Sequence, residues 1–177
     1  MINTTKKSNT LKYVLIGLFT IITIVFILRI SSPEDDWICQ NGKWLKHGNP
    51  SVSAPNSPCF ETIIISINNN KLSVEVADSD IKKEIGLGGR DSINNESGMI
   101  FVYDKPDRYS FWMKDMNFPI DIIWINENKI IEISKNISPS DYQPPNELFP
   151  ASPVNKVLEL YAGTVDKLNI KVGDEVK

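Results

Sequence analysis

Hydrophobic residues are distributed unevenly along this chain of 177 residues. Residues 13–30, YVLIGLFTIITIVFILRI, form one apolar run, whereas apolar and polar residues alternate over much of residues 61–177. At ~1.5 Å per residue, a helix over this run would span roughly 27 Å, about the thickness of the hydrocarbon core of a bilayer. The pattern predicts a single transmembrane helix over residues 13–30, which precedes a β-rich domain over residues 61–177.

The charges that flank residues 13–30 predict how this helix is oriented. Three lysines lie within residues 1–12, and residues 34–36 are Glu-Asp-Asp. Because positively charged flanks stay in the cytoplasm, we expect residues 1–12 to be cytoplasmic and the chain beyond residue 30 to lie outside the cell membrane. No small-residue cleavage pattern follows the run. Residues 13–30 are therefore interpreted as an uncleaved, single-pass signal anchor.

Residues 31–60 connect the predicted anchor to the predicted domain and are rich in Pro, Gly, Asn and Ser. This composition disfavours a long helix or a central strand, although WICQNGKWL could form a small hairpin around its Asn-Gly pair. The segment contains both cysteines of the chain, Cys39 and Cys59. Outside the membrane an even count favours a disulfide, which would close a loop of about twenty residues and contribute on the order of 3 kcal/mol. A metal site is the weaker alternative, because His47 is the only histidine and a fourth ligand is missing.

Alternation with period two predicts the strands of residues 61–177. β-Branched residues on both sides of an Asn-rich turn predict one hairpin from strands 62–67 and 71–76 and another from strands 120–125 and 129–134. Four further strands are predicted over residues 98–103, 109–114, 156–162 and 170–176.

Two short helices and one long loop complete the predicted domain. Residues 78–89, DSDIKKEIGLGG, fit a short helix in which Ile81 and Ile85 share a face and the glycines end the helix. Residues 164–170 fit a single helical turn, and residues 138–153 contain five prolines and are expected to form a long loop. The predicted fold is mainly β (α+β), a compact antiparallel sheet or barrel-like domain with one or two short helices.

The charge of the predicted external part argues against several kinds of partner. The formal net charge of the chain is −3, but 15 basic and 22 acidic side chains lie beyond residue 30. An acidic domain lacks the basic surface that nucleic acids require, and it would not bind anionic lipid beyond its anchor. We therefore expect contact with the membrane through residues 13–30 and with an envelope glycan or a protein partner, and no contact with nucleic acid. The sequence leaves the oligomeric state open.

Residues 110–125, SFWMKDMNFPIDIIWI, place charged side chains within an apolar stretch. Alternation puts Asp121 on a strand whose two faces are both apolar, where an unpaired carboxylate is costly. Asp121 therefore needs a cation or hydrogen-bond donors, and Lys114 and Arg90 are the candidates. Together with Trp112, these residues form either a binding site for an anionic or sugar-like ligand or a structural ion-pair network.

Glu159, in the sequence VLELY, provides a catalytic alternative. Asp121 and Glu159 would suit a two-carboxylate site that hydrolyses an envelope polysaccharide or peptidoglycan, if the fold brings them together. The sequence contains no Ser-His-Asp, Cys-His, phosphate-binding or dinucleotide-binding pattern, and it predicts no cofactor and no metal site. The main hypothesis is a binding or accessory domain without catalysis. The alternatives are a hydrolase that uses Asp121 and Glu159, and a purely structural domain.

Six motifs that occur in order along the domain carry a family resemblance. They are GLGGR (86–90), GMIFVY (98–103), FWMKDM (111–116), PIDIIWI (119–125), VLELYAG (157–163) and IKVGDEV (170–176). Together they closely resemble the domain of unknown function 192 family over about residues 70–177. The resemblance implies a compact antiparallel β domain with little helix, and it implies no established reaction, substrate or cofactor.

The chain departs from this family pattern in two places. Asn155 and Lys156 replace the usual Arg-Tyr before VLEL, and Asp115 replaces the usual Asn of FWMKN. These departures count against any site that needs an arginine near position 155 or an amide at position 115.

Overall fold

The computed structural model describes residues 13–16, 36–40 and 42–177. Residues 13–16 are helical (α1), and the predicted cytoplasmic residues 1–12 and the rest of the predicted span lie outside the described residues. Within the described part of the chain, no helix is long and apolar enough to cross a membrane. The described residues divide into two compact units, one containing residues 36–38 and 44–55 and the other containing residues 39–40, 42–43 and 56–177.

The part of the chain that precedes the main domain contains the small hairpin that its Asn-Gly pair predicts. Strands β1 (Asp36–Gln40) and β2 (Lys43–His47) form a two-stranded sheet. Gly42, in the turn, has a φ of +68°, which glycine adopts without steric cost. The predicted disulfide between Cys39 and Cys59 is also present, with their Cα atoms 5.5 Å apart.

One sheet of six strands forms the main domain. Its strands are β3 (Thr62–Ile67), β4 (Asn70–Ala77), β5 (Ser97–Asp107), β6 (Ile120–Asn126), β7 (Lys129–Ile137) and β8 (Val154–Tyr161). They are arranged in the order β3-β4-β5-β8-β6-β7. Among the described strands, β4 and β5 pair in parallel and the other neighbours are antiparallel. The antiparallel prediction therefore needs correction to a mixed, open sheet, because the connection from β4 to β5 is long enough for a crossover.

Both predicted hairpins of the main sheet are confirmed. β3 and β4 are joined through Asn68 and Asn69, whose φ values of 51° and 65° lie in the left-handed region that asparagine tolerates. β6 and β7 are joined through a turn in which Glu127 has a φ of 57°. β6 is buried along both faces as far as Ile125, as predicted for a strand that is covered on both sides.

Helix α2 (Asp80–Ile85) forms near its predicted position but buries a different side. Ile81 and Ile85 are 65% and 41% exposed, whereas Lys82 is only 6% exposed. The Lys82 ammonium donates to Asp78 Oδ1 over 2.9 Å. Because this contact satisfies the charge, the aliphatic stem of the lysine can cover the domain while the isoleucines remain outside.

The sheet has a hydrophobic core on each of its faces. On one face, called here the α3 face, Leu158 packs with Val165 of helix α3 (Thr164–Lys167). On the other, called the α2 face, Met99 packs with Leu87, which follows α2. Because side chains alternate along a strand, neighbours across the sheet share a face and successive residues do not.

The segment that precedes β6 is not the regular strand that was predicted over residues 109–114. Within it, Phe111 forms a single antiparallel bridge with Leu148, in the Pro-rich loop. Asp115 then turns the chain with a φ of 58°. The preceding strand β5, predicted to end at Tyr103, instead continues to Asp107.

Residues 173–177 contact both edge strands of the sheet instead of forming the last predicted strand. At one edge, Ser66 N on β3 donates to Lys177 O over 2.7 Å. At the other, Ile130 N on β7 donates to Asp174 O over 3.0 Å. This short segment therefore covers part of each edge at one end of the domain.

Candidate functional site

A cavity of about 360 Å³ opens on the α2 face of the main sheet. Its wall is formed by α2 and the glycines after it, by β5 and β8, and by residues 110–116. Four aromatic side chains contribute to the wall, those of Phe101, Tyr103, Phe111 and Trp112. Side chains of both charges complete it, so the cavity combines apolar surfaces with polar groups.

Glu159 on β8 lines this cavity from the sheet. The register places it between Met99 of β5 and Ile122 of β6, on the α2 face. The residue is 5% exposed. Burial raises the pKa of Glu159 to about 8, and the Arg90 guanidinium opposes part of that rise. At neutral pH most Glu159 carboxyl groups are therefore protonated and can both donate and accept a hydrogen bond.

Arg90, a predicted partner of Asp121, pairs with Glu75 instead. Its two terminal nitrogens donate to the two carboxylate oxygens of Glu75, each over 2.7 Å. These hydrogen bonds raise the pKa of Arg90. Because Glu75 occupies both terminal nitrogens of the guanidinium group, these nitrogens are not available to bind a ligand. Arg90 instead provides a fixed positive charge that interacts with Glu159.

Asp121 lies on the α3 face, on the opposite side of the sheet from Glu159. Its register partner on β8 is Leu160, the residue after Glu159. The two-carboxylate site proposed as a hydrolase alternative is therefore not formed. Nor do the described residues bring together three or more His, Cys, Asp or Glu side chains that could hold a metal ion.

Backbone donors satisfy the Asp121 carboxylate, which is fully buried. Oδ1 accepts from Asn136 N over 2.9 Å, and Oδ2 accepts from Val165 N over 3.0 Å. The expectation of hydrogen-bond donors is confirmed, whereas the choice of Lys114 or Arg90 as the partner is wrong. Two backbone N–H groups can satisfy a buried carboxylate without a cation in contact. Asp121 therefore belongs to the architecture of the domain and not to the cavity.

Residues 110–116 bring two of the predicted binding residues to the cavity. Phe111 and Met113 are buried, whereas Trp112 is 39% exposed and Lys114 is exposed, so burial alternates along this segment as it does along a strand. Phe111 exchanges two backbone hydrogen bonds with Leu148 of the Pro-rich loop, and Met113 N donates to Tyr142 O of the same loop over 3.1 Å. The loop therefore fixes the backbone that presents Trp112 and Lys114.

The sequence did not single out Tyr103 and Lys83, which also line the cavity. The Lys83 ammonium lies 4.3 Å from the centroid of the Tyr103 ring, within the range of a cation–π contact. Burial raises the pKa of Tyr103, and the neighbouring Glu159 adds to the rise. The period-two pattern of β5 offered a signal, because it places Tyr103 on the same face as Phe101.

The residues at the two departures from the family pattern do not line the cavity. Asn155 Oδ1 accepts from Glu127 N over 2.7 Å, and Lys156 Nζ donates to Glu127 O over 2.7 Å and to Asn128 Oδ1 over 2.8 Å. These residues therefore fasten the turn between β6 and β7. Asp115 occupies a left-handed position that both Asn and Asp tolerate, so its replacement follows from backbone conformation.

Residues 63–177 match the model of the DUF192 family, which is described as an uncharacterised ACR. One similar crystal structure is of a protein from Sinorhizobium meliloti 1021 that is provisionally named a transcription regulator. It has 27% identity and a TM-score of 0.62, and the match covers 67% of this chain and 94% of that chain. Another is of a protein of unknown function from Novosphingobium aromaticivorans DSM 12444, with 29% identity, a TM-score of 0.62 and coverage of 71% and 91%. No curated protein matches this chain.

Proposed function

Because this chain belongs to the DUF192 family, which is described without an activity, we propose a function from the cavity on the α2 face. The domain binds a small ligand in that cavity and does not catalyse a reaction. The observation that carries the proposal is the Glu159 carboxyl group, which is buried in the sheet and yet lines a cavity of about 360 Å³.

The size and lining of the cavity suit a ligand. Small-molecule sites occupy roughly 300–1,000 Å³ and combine apolar and aromatic walls with a few polar groups. Ile85 and Trp112, which line the cavity, are also among the more exposed large hydrophobic residues of the domain. A ligand would cover these apolar surfaces, and their burial would favour binding.

The same carboxyl group argues against a purely structural role. Burial of a carboxyl group is unfavourable unless a partner compensates. Asp121 has two backbone donors, whereas Glu159 is influenced only by burial and by the charge of Arg90, with no hydrogen bond from the described residues to its carboxyl group. A ligand that bonds with Glu159 would give this carboxyl group a hydrogen-bond partner inside the cavity that it lines.

The proposal also includes the location of the domain and of its ligand in the cell. The apolar run of residues 13–30 would anchor the chain, and the lysines before it would leave the domain outside the cell membrane. The Cys39–Cys59 disulfide is consistent with an oxidising compartment. The ligand would then be part of an envelope component or of a partner protein. A role in DNA binding gains no support from the charge, because acidic side chains exceed basic ones beyond residue 30.

A fragment screen with a blocked cavity tests this proposal. The full-length chain is screened by NMR, and each compound that binds is tested again on Ser110→Trp, because Ser110 lines the cavity and is exposed. The matched control is Ser92→Trp, at an exposed position that does not line the cavity. We expect compounds to bind the wild type and the control and to lose binding to Ser110→Trp. Equal binding to all three chains would refute the proposal.

A further inference from the structure

We propose that the ligand of this cavity is an uncharged saccharide unit, whose ring packs on Trp112 and whose hydroxyl groups bond with the Glu159 carboxyl group. The inference rests on the proposed function and names the chemical class of its ligand. It follows from three features of the wall, namely its balance of charge, the position of Trp112 and the hydrogen-bonding capacity of Glu159.

The charged side chains of the wall balance one another. Lys83 and Lys114 carry positive charge, and Asp80 and Glu84 carry negative charge. An anionic ligand near the lysines would also meet the acids, and a cationic ligand near the acids would also meet the lysines. Lys83 is in addition engaged with the Tyr103 ring. A ligand without net charge avoids both conflicts.

Trp112 provides a flat apolar surface beside a polar floor. Its side chain is 39% exposed, and its neighbours in sequence, Phe111 and Met113, are anchored in the core. The backbone of Trp112 is therefore held in place, while its indole ring remains exposed and can contact a ligand. A saccharide has the matching character, because its C–H face is apolar and its edge carries hydroxyl groups. A purely apolar ligand would leave the Glu159 carboxyl group without a partner.

The Glu159 carboxyl group can both donate a hydrogen bond to a ligand hydroxyl group and accept one from it. In its protonated form it offers one donor and an acceptor, and a hydroxyl group offers the same pair. The raised pKa of about 8 keeps this form dominant at neutral pH. The charged group that lowers the pKa of Glu159 is the Arg90 guanidinium, which is hydrogen-bonded to Glu75. The nearby Tyr103 hydroxyl keeps its proton, because the pKa of Tyr103 is raised. Loss of the Glu159 proton would remove its donor and weaken the complex.

Titration calorimetry with defined trisaccharides tests the ligand class. The full-length chain is titrated at pH 6 with maltotriose, cellotriose and N,N′,N″-triacetylchitotriose, which are uncharged, and with trigalacturonate, which is anionic. We expect at least one uncharged trisaccharide to bind about tenfold or more tightly than trigalacturonate. Trp112→Ala should weaken that binding by about tenfold, whereas Phe149→Ala, at an exposed aromatic residue outside the wall, should not.

Repetition of the titration at pH 9 tests the role of Glu159. We expect the wild type to bind about tenfold more weakly at pH 9 than at pH 6, and the affinity of Glu159→Gln to be the same at both, because the amide keeps its donor. Circular dichroism at each pH checks that both chains are folded. A wild-type affinity that does not change with pH would overturn this role.

The possible failures can be told apart. If no uncharged trisaccharide binds but compounds from the fragment screen still occupy the cavity, the ligand class is wrong and the proposed function stands. If trigalacturonate binds most tightly, the inference of an uncharged ligand is overturned. If no compound binds in the cavity at all, both proposals fail.

Discussion

Replacement of Asp121 by asparagine should destabilise the domain severely while leaving the cavity intact. The carboxylate accepts from Asn136 N and Val165 N, at 2.9 and 3.0 Å, in a site with no solvent exposure. An asparagine keeps one acceptor oxygen and presents an NH₂ group to the other backbone donor. The loss of one hydrogen bond to a charged group and the donor left unsatisfied should together cost about 3 kcal/mol.

Urea unfolding of the wild type and of Asp121→Asn measures this cost. We expect the midpoint to fall at an unchanged slope, because the surface exposed on unfolding stays the same. In a thermal scan, about 3 kcal/mol corresponds to a decrease on the order of 10 °C for a domain of this size. Binding at the cavity should persist under conditions where the variant is folded, since Asp121 lies on the other face of the sheet.

A matched substitution separates burial from charge. Asp166→Asn also converts a carboxylate to an amide, but its side chain is 63% exposed and its partner is Lys135, with 2.9 Å between Nζ and Oδ1. Exposed ion pairs contribute little, so this variant should lose at most about 1 kcal/mol. If Asp121→Asn costs no more than Asp166→Asn, the account of a buried carboxylate held by backbone donors is refuted.

Three further predictions concern other parts of the chain. Burial raises the pKa of Glu159 to about 8 from a usual value of 4.5, so between these values the folded chain holds a proton that the unfolded chain has lost, and stability should fall as the pH rises. Glu159→Gln should make this fall shallower by up to about 1.4 kcal/mol per pH unit in urea melts, and an unchanged slope would contradict the assignment. A Cβ at Gly98 would overlap the Glu159 carbonyl and lie 2.7 Å from Leu160 Cδ2. Gly98→Ala should therefore lower the unfolding free energy by about 2 kcal/mol or more. A decrease below about 0.5 kcal/mol would show that the backbone of the sheet shifts to accommodate the methyl group. Reduction of the Cys39–Cys59 disulfide should speed tryptic cleavage between the two cysteines, as followed by mass spectrometry, because the loop regains conformational freedom. An unchanged cleavage rate would mean that other contacts hold this segment.

Elements with a local signal were predictable from the sequence. The hairpin from β3 to β4 combines alternating isoleucines with an Asn-rich turn, and its two turn residues, Asn68 and Asn69, adopt the left-handed conformation that asparagine tolerates. Alternation likewise places Phe111 and Met113 on the face opposite Trp112, and the structure buries the first two side chains and leaves Trp112 39% exposed, although only Phe111 forms a bridge. The alternating pattern indicated which way the side chains point. Whether the segment pairs as a regular strand depended on a partner strand elsewhere in the chain.

The contacts of the charged residues were less predictable, and those of Asp121 and Arg90 were so because their partners lie far away in sequence. Asp121 accepts hydrogen bonds from backbone N–H groups 15 and 44 residues away. Because nearly every residue has a backbone N–H group, the sequence does not show which residue will be the donor. Arg90 found Glu75, 15 residues before it. In α2, the contact between Lys82 and Asp78 reversed the side that hydrophobicity alone would bury. The position of Glu159 in a cavity also required the order of strands, which alternation does not give.

The contacts of residues 173–177 with both β3 and β7 have a consequence for the timing of folding. During synthesis strand β3 emerges more than 100 residues before the segment that covers its outer edge. Until then, the exposed N–H and C=O groups of β3 could pair with another chain. The domain should therefore reach its protected form only after residues 173–177 leave the ribosome, and a chaperone would have an extended interval in which to hold it.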